Sequence, residues 1–270
     1  MSATPHTLPA ARSPYEGLRF SFAEMEREIE NLRKLASRFL ERSSFERVIP
    51  DWQRQLSTFK SRDAGSVLRW EIPETDPIQT KVSHGEYEPS GRRGKEVFGR
   101  ISGLWEVKIP QAVGKKRGRT QNSFVLLGLA STKITIWAHH EGKEPEEIAL
   151  WTVEIGDVTS PGCHFHTQIT LEDAANKFPK FLSVPRLPAL LHTPMDALEF
   201  LLAELFQEEW YRHTSKGNDA LRNWASCQRN RLVKLLSWQL EKLNEASGSP
   251  WTTLKRQKPP LDMFFNESAN

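Results

Sequence analysis

The chain has 270 residues, 38% hydrophobic and 26% charged, with a formal net charge of +3. This is an ordinary globular composition that needs no staples to fold; no run approaches the ~18 apolar residues of a membrane span, and the basic bias is too slight to impose a nucleic-acid reading. The two cysteines, Cys163 and Cys227, have no zinc-finger or disulfide-framework spacing, which points to a reducing, cytoplasmic setting with no cofactor or metal.

Residues 1–20 carry Pro, Ser and Thr without an apolar segment and read as a disordered lead-in, not a signal peptide. Over 21–42, Phe22, Met25, Ile29, Leu32, Leu35, Ala36, Phe39 and Leu40 recur at three and four. With Ser21 and Glu24 in capping-box positions, they predict an amphipathic helix. A weaker helical pattern over 45–59 contains Pro50, which marks a boundary or a first-turn position.

The texture then changes. SVLRWEI, VFGRISGLWEVKIP, SFVLLGLASTKITIWAHH, IALWTVEIGD and CHFHTQI are β-branched and aromatic runs, separated by GRRGK, GKKRGRTQN, EGKEPEE and DVTSPG. Short polar links between strands predict an antiparallel meander of about five or six strands, with Gly99, Gly103 and Gly128 marking bulges or bends. Prolines 179, 185, 188 and 194 keep the next segment out of a central ladder and make it an extended crossing over 178–194.

Thr193 with Pro194 opens a helix whose apolar face is Leu198, Leu201, Leu202, Leu205, Phe206 and Trp210, and whose outer face is acidic, with Asp196, Glu199, Glu204, Glu208 and Glu209. After a Lys216-Gly217-Asn218 stop, a last long helix runs to about Glu245. Its Arg222, Arg229, Arg231 and Lys234 extend a basic surface or pair with the acidic helix. The predicted fold is α+β: a β-meander over 66–171 with N-terminal helices (21–62) and C-terminal helices (194–246) packed on it, a single domain over 21–246 and a loosely ordered tail over 247–270.

The densest chemical signal is PGCHFHTQIT. Alternation along a strand puts His164, His166 and Gln168 on one side and Cys163, Phe165, Thr167 and Ile169 on the other. Two imidazoles facing one way can hold a metal or a phosphate; the alternative is a polar sheet face over a core containing Phe165 and Ile169. Third partners would be His192 or His139 and His140. The run HFHTQ resembles the alternating histidine string of the HIT superfamily of nucleotide hydrolases and transferases, with Gln168 where that family carries a further histidine. The resemblance implies a phosphoesterase or nucleotidyl-transfer activity centred on His164 and His166, with Gln168 in support. Cys163 reads as a small buried residue.

The order helix, meander, proline-rich crossing and helices also resembles the ubiquitin-conjugating arrangement, whose His-Pro-Asn motif and following cysteine are absent here. Arg92, Arg93 and Lys95 in one link and Lys115, Lys116, Arg117 and Arg119 in another form basic, Gly-rich loops suited to a polyanion. Trp70, Trp105, Trp137 and Trp151 fall in strands and read mainly as core. No Walker loop, dinucleotide glycine string, nucleophile elbow or HExxH motif is present. The expected function is therefore a non-catalytic cytoplasmic accessory protein that binds a protein complex or nucleic acid through its sheet and basic loops, with the histidine-dependent enzyme as the alternative.

Overall fold

The computed structural model describes residues 17–83, 96–111, 122–127, 130–156, 165–170, 186–190 and 193–265, with the backbone alone at 130, 168–170, 186–188 and 256. It is built around β4 (Val97–Lys108), whose twelve residues pair along both edges. One edge carries β2 (Val67–Ile72) and β3 (Ile78–Gln79). The other carries β5 (Ser123–Leu126) and β6 (Ala130–Ala138). β1 (Leu18–Ser21) pairs with β5, and the meander continues through β7 (Glu146–Ile155), β8 (Phe165–Thr170) and the edge strand β9 (Arg186–Pro188). All pairings are antiparallel.

The expected α+β meander is thus present, with nine strands among the described residues instead of about five or six. The surplus comes from pieces of two to four residues, β1, β3 and β9, which are too short to show a period, and from the run at 123–140, which is divided into β5 and β6. Pro188 sits on the edge strand, where a missing N–H breaks no central ladder.

The sheet's two faces follow from register. Ile101 opposes Ile134 and Gly103 opposes Thr132, and Ile134 opposes Trp151 in turn, so these residues share the face that packs on helices. Gly99 and Gly103 lie in unbroken register and are not bulges. A Cβ at Gly99 would stand 2.6 Å from Leu201 Cδ2, and one at Gly103 2.6 Å from Ser131 O and the Trp105 ring; their smallness admits a helix and an indole. The irregularity lies instead between Ile136 and Trp137.

On that face sit α1 (Phe22–Ala36), α2 (Ile49–Phe59) and α3 (Pro194–Thr214). Ser21 Oγ accepts from Glu24 N at 3.4 Å and starts α1. The chain then passes through a π-helical turn, Ser44–Val48, into α2, with Pro50 in the first turn. Trp52 of α2 stacks on Trp70 of β2 at 4.4 Å and 9°, and the Trp70 indole donates to Trp52 O at 2.9 Å. Trp105 and Phe124 close the cluster.

Two long helices complete the fold. Thr193 and Asp196 form a full capping box on α3, and all six predicted apolar residues of that helix are buried. α4 (Asp219–Glu245) is capped by Asn218 and lies along α1. Among its residues, Trp224, Arg231 and Leu235 are buried.

Both predicted ends need correcting. Within the 1–20 lead-in, Leu18 and Phe20 belong to β1 and are buried. Gly17, at φ +94, lets the chain approach β5 so closely that a Cβ would meet Leu126 O at 2.0 Å. The 247–270 tail contains α5 (Pro250–Arg256) and a return to the core: Met263 and Phe264 are buried, with Phe264 5.8 Å from Phe20 and 6.3 Å from Phe165. Arg19 N donates to Leu261 O at 2.8 Å. The apolar triplet Met263-Phe264-Phe265 outweighs the prolines before it.

Candidate functional site

The helical period places Glu24 and Glu28 one turn apart on α1, and Cys227 and Arg231 one turn apart on α4. The two pairs face each other. Arg231 donates from both terminal nitrogens to Glu28, with side chains 3% and 2% exposed. Cys227 Sγ stands 3.1 Å from Glu28 Oε1 and 3.4 Å from Glu24 Oε1, and Gln228 Nε2 reaches Glu28 Oε2 at 3.5 Å. The Glu24 carboxylate thus turns into this cluster, and the expected capping box of α1 is only half formed.

Electrostatics follow from burial. Loss of water pushes the Glu28 carboxyl up to about 7 against the pull of Arg231. Burial disfavours charge on Arg231, yet Glu28, with Cys227, Asp196 and Glu24 behind it, raises it on balance and keeps it protonated. Burial likewise pushes the Cys227 thiol up, despite Arg231 and with help from Glu28 and Glu24.

A pocket of about 270 Å³ opens beside the cluster, between α3 and α4. Asp196 and Glu199 supply its carboxylates, Phe200 and Trp210 its aromatic walls, and Gln228 and Leu232 its α4 side. Burial raises the Glu199 carboxyl against the opposing pull of the Trp224 indole, and Asp196 adds to the rise. At its rim Leu190 and Phe200 are exposed. The α3 wall runs across a kink at Gln207 (φ 30, ψ −106), a conformation that L-residues rarely adopt. The break is stitched by Ser83, whose hydroxyl donates to Leu205 O.

Asp196 and Glu199 do not lie on the solvated acidic face that the helical period predicts: Asp196 is buried and Glu199 half-buried, because α4 packs over that side. The expected pairing of α4 arginines with the acidic helix also changes. Arg231 pairs with α1, and Arg222 with its own neighbour Asp219.

Of the histidine string, His166 alone has a described side chain; His164, with Cys163 and His192, lies outside the described residues, as does the side chain of Gln168. Phe165 packs in the core and His166 points to the opposite face, as the alternation predicts. His166 is nevertheless 1% exposed, with Nε2 3.0 Å from Oε2 of its cross-strand neighbour Glu154. His140 lies 3.7 Å from Glu146, eight residues from Glu154 along β7, a separation of about 26 Å. The described histidines do not converge. His166→Ala is expected to lower stability by about 1–3 kcal/mol in urea denaturation, through a lost charged hydrogen bond and a small cavity; an unchanged midpoint would free His166 for another role.

The basic residues Arg92, Arg93, Lys95, Lys115, Lys116, Arg117 and Arg119 lie outside the described residues. Their segments attach to opposite ends of β4, about 36 Å apart along an extended strand of that length. On the sheet face turned away from the helices, Arg100 lies over Trp137 at 4.6 Å and Phe98 at 5.1 Å, with Nε donating to Gln79 at 2.8 Å. Trp70 and Trp105 are core, and half-buried Trp151 meets Phe200 of α3 edge-on. No helix among the described residues is long and apolar enough to cross a membrane. Comparison with family models, curated proteins and solved structures finds no match for the chain.

Proposed function

We propose that the chain is a non-catalytic accessory protein of the cytoplasm, and that it holds a partner protein by a lysine or arginine side chain inserted between α3 and α4. The observation that carries this reading is the pocket itself: two carboxylates, Asp196 and Glu199, beside two aromatic rings, Phe200 and Trp210, in a space of about 270 Å³. Carboxylates complement a cation's charge, and aromatic faces attract it through their quadrupole. The exposed Leu190 and Phe200 at the rim suit the apolar part of a partner segment. The basic residues at 92–95 and 115–119 would supply the contacts if the partner were instead a polyanion.

The test is calorimetric titration with the tripeptides Gly-Lys-Gly and Gly-Arg-Gly against Gly-Leu-Gly. A cationic peptide should bind in preference, and Glu199→Gln should weaken it about tenfold, with Phe200→Ala acting in the same direction. Equal binding of the leucine peptide, or unchanged affinity in Glu199→Gln, would overturn the reading.

A further inference from the structure

We propose that Glu24, Glu28 and Cys227 form a site for one divalent cation of the zinc class, which clamps α1 to α4. Their ligand atoms all lie within 4.8 Å of one another. Oxygen and sulfur ligands about 2.1 and 2.3 Å from a tetrahedral ion stand about 3.5 Å apart. The observed spacings from Cys227 Sγ, 3.1 Å to Glu28 and 3.4 Å to Glu24, need only small rotamer adjustments to reach that arrangement.

Glu24 supplies the second, independent observation. It is 8% exposed and its Oε2 has no hydrogen-bond partner. Its other oxygen faces the Cys227 sulfur, but a thiol has one proton to give, and the Glu28 oxygen is nearer. Arg231 directs its hydrogen bonds to Glu28, and none of them reaches Glu24 Oε2. A buried polar atom without a hydrogen-bond partner is costly, and this carboxylate lies within 4.8 Å of two further ligand atoms.

The donor set selects the ion. A thiolate with two carboxylates suits zinc, whereas magnesium and calcium prefer oxygen alone. Arg231 then has the place of an outer partner, holding the Glu28 carboxylate by a bond to each of its oxygens. Cys227 is part-exposed, so water has a path to a fourth position. On binding, the Sγ–H bond breaks, an Sγ–metal bond forms and the proton leaves to solvent. Affinity therefore rises with pH. Cysteine spacing along the chain could not reveal such a site, because Glu28 and Cys227 are 199 positions apart.

Cobalt(II), a spectroscopic substitute for zinc, provides the test on the full-length protein. Titration should produce a thiolate-to-cobalt charge-transfer band that saturates at one ion per chain and is bleached by zinc. Cys163→Ser should keep the band and Cys227→Ser should lose it. Glu24→Gln, nearly the same shape, should weaken cobalt binding at least about tenfold, since even outer partners are worth 10- to 100-fold. The absence of a band in the wild-type protein overturns the proposal. So does a band that follows Cys163 instead of Cys227, or cobalt affinity unchanged by Glu24→Gln.

Discussion

Replacing Arg231 by Met is expected to destabilise the protein by about 3–5 kcal/mol, because it leaves Glu28 buried without its cation. The double variant Glu28→Met/Arg231→Met should recover most of that loss, since an ion pair replaced whole leaves no uncompensated charge. Urea denaturation of the wild type, the two single variants Glu28→Met and Arg231→Met, and the double variant closes the cycle; a double variant no better than Arg231→Met would mean that the pair does more than neutralise itself. The same pair makes stability depend on pH. Glu28 is raised from 4.5 to about 7 in the folded chain, so between those values the native state holds more protons than the unfolded one. Stability is therefore highest below about pH 4.5 as far as this group is concerned. It falls as pH rises to about 7 and is level above, a span of about 3 kcal/mol. Glu28→Gln should remove this component, and Arg231→Met should extend the decline to higher pH.

Trp70→Ala is the second large effect, a loss of about 3–5 kcal/mol. The ring is fully buried, stacked on Trp52 and flanked by Trp105 and Phe124, and its indole N–H satisfies the Trp52 carbonyl within α2. Truncation opens a cavity between α2 and β2 and orphans that carbonyl's extra bond. Trp70→Phe keeps an aromatic ring and loses mainly the hydrogen bond, so it should cost less. Thermal melts of the three proteins rank them; a Trp70→Ala variant as stable as Trp70→Phe would show that the stack contributes little.

Local signals were legible wherever chemistry within a few residues decides the outcome. Thr193, Pro194 and Asp196 start α3 where the sequence places them, since a cap needs only its own first turn. β2, β4, β7 and β8 lie within the predicted runs or overlap most of them, because a β-branched or aromatic run declares itself without its partners. Phe165 and His166 take opposite faces for the same reason. Yet alternation says which way a side chain points and nothing of what lies above it, so His166 was read as part of a polar face and is buried against Glu154. Gly99 was read as a bulge because a strand glycine looks alike whether it bends the chain or admits Leu201.

The candidate site was the least legible part. Local rules assign Glu24 to a capping box, Asp196 and Glu199 to an acidic exterior, and Arg231 to a basic surface or to pairing with the acidic helix. Every one of them was reassigned when α4 packed along α1 and beside α3. Met263 and Phe264 show the same limit, since their fate depends on a gap beside Phe20 and Phe165 at the far end of the chain.

Sequence alone determined the class of this protein: an α+β chain whose strands, caps and apolar helix faces follow from backbone hydrogen bonding and side-chain period over distances of a few residues. Only the tertiary structure decided which polar groups meet. Glu28, Cys227 and Arg231 acquire their shifted ionisation from a shared dry space between helices, and desolvation belongs to the packed whole, not to any segment of it.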